Sequence, residues 1–95
     1  MDGGYRHFFI ETVPYYGGGS RHNVRARPLP GQGVDTSVFV ECCSAMRTSH
    51  PAGTVFRITG KLTDREGGTP FLYTSYRWAY TVVSRETAEA EIAEL

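Results

Sequence analysis

Residues 54–83 read TVFRITGKLTDREGGTPFLYTSYRWAYTVV, and they decide the fold. In the first arm Phe56, Ile58, Gly60 and Leu62 alternate with Val55, Arg57, Thr59 and Lys61. Successive side chains of a strand point to opposite faces, so this period of two predicts a half-buried strand. TDREGGTP, residues 63–70, is dense in turn formers, and the aromatic run FLYTSYRWAYTVV follows it. The simplest pairing is one antiparallel hairpin over residues 54–83. In its second arm Tyr76, Trp78, Tyr80 and Val82 share a face, whereas Phe71 and Tyr73 fall in the opposite register. A bulge near Thr74 and Ser75 would bring all five aromatic side chains to one side. The Tyr76, Trp78 and Tyr80 face is expected in the core, because large side chains fill a small β core. A surface role would begin at Phe71 and Tyr73.

Working outward, YRHFFIETV (residues 5–13) is aromatic and β-branched and is bounded by glycines and Pro14, which predicts a first strand. YYGGGSRHN (15–23) reads as a flexible loop, since three glycines give the backbone little reason to order unless something binds there. Over residues 22–29, Val24 and Ala26 alternate with Asn23, Arg25 and Arg27, a short strand with two arginines toward solvent. PGQGVDTS (30–37) is a turn segment with glycine for positive φ and Asp35 or Ser37 to bond nearby backbone.

Residues 38–47 set Val38, Val40, Cys42, Ser44 and Met46 against Phe39, Glu41, Cys43, Ala45 and Arg47. A strand throughout is the first reading, and a strand giving way to a helix over 41–47 the second. SHPAG (49–53) is a turn. Ser84 is placed to cap a final helix over residues 85–95, with Glu86 near its positive end and a narrow apolar face of Ala88, Ile92 and Leu95. Such a helix is marginal alone, so it docks or frays. The fold expected is mainly β, a small antiparallel sheet or partly closed SH3-like or OB-like barrel with a short C-terminal helix; an α+β layer is the alternative. One domain spans 1–84, and 85–95 is an acidic helix or tail.

The chain has 95 residues, enough for one modest core. Its net charge is zero, yet residues 1–84 hold nine basic and six acidic side chains while 85–95 hold one and four. Nine of the ten basic residues are arginines, suited to bidentate contact with phosphate or carboxylate; a GC-rich genome gives the same bias without function. Cys42 and Cys43 are adjacent and no spaced pair exists, which reads as a reducing compartment. HFFIETVPYY is interrupted by Glu11 and Pro14, so no signal peptide is expected, and no apolar run reaches membrane-span length. The expectation is a cytoplasmic, soluble chain with no membrane partner.

Candidate binding residues are the exposed aromatics Tyr15, Tyr16 and Tyr73 and the outward cations Arg21, Arg25, Arg27, Arg57, Lys61 and Arg77. The ordinary alternative is a solvated basic face over an aromatic core. The glycine-rich stretches GGGSR and PGQG match no dinucleotide fingerprint, and GTVFRITGKLT fails as a phosphate loop because Leu62 stands where Ser or Thr is needed. No C-x-x-C or H-x-x-x-H spacing supports a metal site, and no cofactor is expected. Cys43 with His50 is the sole local nucleophile–base pairing, and a strand cysteine is more often inert. Three functions are therefore carried in order: a binding module for protein, through a sheet edge or aromatic groove; a nucleic-acid-binding barrel; and a small enzyme or ligand carrier. Arginines clustered on one face would favour the second, and an exposed edge or apolar patch the first.

Overall fold

The computed structural model describes residues 5–14, 24–41, 46, 48–63, 68–74 and 79–95. The fold is mainly strand: β1 (Arg6–Pro14), β2 (Val24–Pro28), β3 (Phe39–Glu41), β4 (Val55–Thr63), β5 (Phe71–Tyr73) and β6 (Thr81–Val83), followed by helix α1 (Arg85–Ala93). The hydrogen-bonded order is β2-β1-β4-β5-β3, with β6 also on β4. All neighbours are antiparallel except β3 and β5, which run parallel. The terminal strands β2 and β3 approach each other, so the sheet curls into a nearly closed barrel.

β1 and β4 form the spine. Phe8 and Ile10 of β1 point inward with Phe56 and Ile58 of β4, Ala26 of β2, Val40 of β3 and Leu72 of β5, and Met46 joins them. Phe9 and Val55, of opposite parity, point outward and are also buried, because Ala88 and Ile92 of α1 and Leu29 pack over them. This double coverage explains why β1 is buried continuously from Phe8 to Thr12. The final helix therefore docks. Ser84 caps it as expected, its Oγ accepting from the Thr87 amide at 3.0 Å.

The hairpin over 54–83 forms, with a register change inside it. Tyr73 lies opposite Lys61 and Thr81 opposite Arg57, so seven residues separate these pairings in the second arm against three in β4. The four extra residues are an even number, and parity survives the insertion: Leu72 and Tyr80 face the core, while Phe71 and Tyr73 stay outward. The expected gathering of all five aromatics on one side is thus corrected, since only an odd insertion would invert the faces. Tyr80 is half-buried and packs against the core cluster, its ring edge-on to Phe56 at 5.3 Å and to His50 at 5.8 Å. Tyr76 and Trp78 lie outside the described residues.

Two other expectations change. β3 ends at Glu41 and the backbone is helical at Met46 and Thr48, so a strand throughout 38–47 is corrected; residues 42–45 and 47, over which the second reading places a helix, lie outside the described residues. Met46 still reaches the core that Val38 and Val40 line. Leu62 is 45 % exposed, because the pairing of β1 to β4 stops at Gly60 and leaves that end of β4 uncovered by β1.

The turn after β2 is built by Gln32. β2 ends at Pro28; the Leu29 amide still donates to the Phe9 carbonyl at 3.0 Å, and the Gln32 carboxamide folds back to complete that pairing. Its Oε1 accepts from the Phe9 amide at 2.9 Å, and its Nε2 donates to the carbonyls of Phe9 and Leu29 at 2.6 and 2.9 Å. Gly31 and Gly33, with φ of 91° and 83°, supply the left-handed conformations this return needs.

A candidate interaction groove

The outer surface of the barrel divides in two. Over β1, the first half of β4 and β6 it is covered by α1; over β3, β5 and the second half of β4 none of the described helices lies on it. On this second half side chains of outward parity line up in rows across the strands. Phe39 pairs with Phe71, and Phe71 with Thr63; Glu41 pairs with Tyr73, and Tyr73 with Lys61.

Phe39 is 59 % exposed, a large apolar side chain held outward because Val40 occupies the inward position of a three-residue strand. Beside it opens a groove of about 590 Å³ lined by Asp35, Ser37, Val38, Phe39, Glu41, Gly68, Thr69, Pro70 and Phe71. Its volume is in the range of ordinary ligand clefts, and its walls are apolar with acidic groups at the margin. The Asp35 Oδ1 accepts from the Ser37 amide at 2.8 Å and from the Ser37 hydroxyl at 2.7 Å, which fixes the turn leading into β3. The backbone hydrogen bond from Ser37 holds the Asp35 carboxyl below its ordinary range.

Of the cations singled out in the sequence, Arg25, Arg27 and Arg57 stand elsewhere, whereas Lys61 ends the row of Glu41 and Tyr73. Arg25 is exposed on β2. Arg27 is engaged by Glu11, its cross-strand neighbour, at 3.0 Å, and Arg85 meets the other carboxylate oxygen of Glu11 at 2.5 Å. Burial pushes the Glu11 carboxyl up, but the hydrogen bonds and charges of Arg85 and Arg27 outweigh it and hold it below its ordinary value. Arg57 faces Glu91 of α1 at 3.6 Å, and the Lys61 ammonium lies 5.6 Å from the centre of the Tyr5 ring. Glu11 of β1 and Glu91 of α1 thus hold Arg27 and Arg57 in separate ion pairs. Tyr73 is half-buried in the row between Glu41 and Lys61. Tyr15, Tyr16, Arg21 and Arg77 lie outside the described residues, as do Cys42 and Cys43.

Sequence reasoning did not single out Phe39 as a site residue, although the signal was there: an aromatic out of phase with Val38 and Val40 in a short strand faces water. Among the described residues no group of His, Cys, Asp or Glu is arranged to hold a metal ion, and no helix is long and apolar enough to cross a membrane. Comparison with protein-family models, with curated proteins and with solved structures finds no match for this chain.

Proposed function

We propose that this chain is a small, non-enzymatic binding module that takes a segment of a partner protein in the groove between β3 and the 68–71 stretch. One observation carries the reading: Phe39, 59 % exposed and paired with Phe71, walls an open groove at the end of the strand order. The exposed part of this side chain is not buried by the barrel, and covering it against a partner would contribute about 1–2 kcal/mol. Aromatic side chains in a pocket with a polar margin are the usual anchors of protein interfaces. The outward arginines give less support to a nucleic-acid surface, since Arg27 and Arg57 already face carboxylates.

The test is selection from a random-peptide display library on the immobilised chain, repeated with Phe39→Ser. Clones that bind the parent chain and not the variant, with both proteins folded by circular dichroism, are the expected outcome. Equal binding to both would remove the groove as the site.

A further inference from the structure

The two hydrophobic clusters depend on α1 to different degrees. The inner one, around Phe8, Ile10, Phe56 and Ile58, takes nothing from the helix. β1 is paired to β4 over Arg6–Glu11 and to β2 over Ile10–Pro14, ladders in which the helix has no part. The outer cluster is the reverse, since Phe9, Leu29 and Val55 are shielded by Ala88 and Ile92 of α1. Of the nine residues of the helix only Ala88 is fully buried. The barrel can therefore keep its strands and its interior without α1, at the cost of an apolar outer face.

The charges of α1 oppose its own dipole. Arg85 stands at the positive N-terminal end, Glu91 and Glu94 stand at the negative C-terminal end, and the last turn has no basic residue. Ser84 and Glu86 favour the first turn, but nine residues are too few for a helix to persist alone in water. The barrel supplies the missing counter-charges: Glu11 holds Arg85 at the start of the helix, and Arg57 faces Glu91 at 3.6 Å near its end. Arg85, Arg57 and Glu91 are each more than a third exposed, which leaves both ion pairs open to screening by salt.

From these placements we propose that α1 is a latched cover: it leaves the barrel and unwinds as one unit while the strands stay paired, baring Phe9, Leu29 and Val55. The two ion pairs are the latch. The device is independent of the groove, which lies on the other half of the barrel surface.

Native-state hydrogen exchange of the full chain, followed by NMR through a series of urea concentrations below the unfolding transition, tests it. Amides of residues 88–93 are expected to exchange through one common opening that needs less free energy, and responds less to urea, than the global unfolding reported by amides of the β1–β4 ladder. Glu11→Gln separates the two events, because Arg27 stays on the barrel when the helix leaves and only the pair with Arg85 is broken by opening. The variant should speed the helix amides about fivefold and the ladder amides about thirtyfold. Arg57→Gln should speed both sets about threefold, since its partner Glu91 departs in both events. Raising sodium chloride from about 0.05 M to about 0.5 M should speed the helix amides of the parent about fivefold, and those of Arg57→Gln less. Helix and ladder amides that share one opening free energy and one response to Glu11→Gln would overturn the cover, because α1 would then part from the strands only in global unfolding. Graded fraying of the helix amides with no urea dependence would overturn it as well. An opening indifferent to salt and to both substitutions would overturn the latch.

Discussion

Glu11→Gln should loosen the helix from the barrel. The Glu11 side chain is 9 % exposed and joins β1 to β2 through Arg27 and to α1 through Arg85, two partners whose own side chains are about half exposed. A charge-assisted hydrogen bond contributes about 1.5–3 kcal/mol, and hydration of the half-exposed arginines brings each below that range, to about 1 kcal/mol. Removing the charge should then cost about 2 kcal/mol, or roughly 10 °C in midpoint for a domain of this size. The sign of the pH dependence follows from the lowered pKa. Stability contributed by Glu11 is fully present above its ordinary value of 4.5 and is lost as pH falls through the lower folded-state value. Urea unfolding followed by circular dichroism, at neutral pH and in steps below about pH 5, would show the parent losing this increment and the variant lacking it. A variant as stable as the parent at neutral pH, or one whose deficit persists unchanged at the acid end, would refute the clamp.

Three further substitutions probe the frame that positions the groove. Gln32→Leu should cost about 2–3 kcal/mol in urea unfolding, since it removes the carboxamide that the buried Phe9 amide donates to and that the Leu29 carbonyl accepts from, while the Phe9 carbonyl keeps the Leu29 amide. Gly60→Ala should cost about 1–3 kcal/mol by the same assay, because the added Cβ would lie 2.9 Å from the Tyr73 carbonyl oxygen and 3.4 Å from Leu72 and Phe8. Ser84→Ala should cost about 1 kcal/mol and raise hydrogen exchange in the first turn of α1, where the Thr87 amide loses its cap.

The strands could be read from the sequence where periodicity was strong and local. Phe56 and Ile58 alternate without interruption, and Val24 and Ala26 lie between charged residues, so faces followed directly from period two. The interior of the hairpin could not be read in this way: a four-residue insertion keeps the parity of Phe71, Tyr73 and Tyr80, and nothing local distinguishes it from a single bulge. The outward burial of Phe9 and Val55 depends on a helix about thirty residues beyond Val55, and the role of Gln32 depends on where β2 ends. Both are tertiary facts. At the groove, Phe71 and Tyr73 were legible as outward aromatics, whereas the neighbour that gives them a wall, Phe39, is set beside Phe71 by a parallel pairing that crosses over thirty residues of chain. Arg27 read as a free outward cation because its partner, Glu11, is defined only by register between β1 and β2.

The most direct test of the central claim is a paired amide NMR titration of the full chain, with a library-selected peptide in one series and a mixed-sequence single-stranded oligonucleotide in the other, both at low salt. The groove reading predicts that the peptide moves residues 37–41 and 69–73 and that the oligonucleotide leaves them in place. Oligonucleotide shifts centred on Arg25, Arg57 and Lys61 and weakened by salt, with no peptide shifts at Phe39 or Phe71, would contradict it.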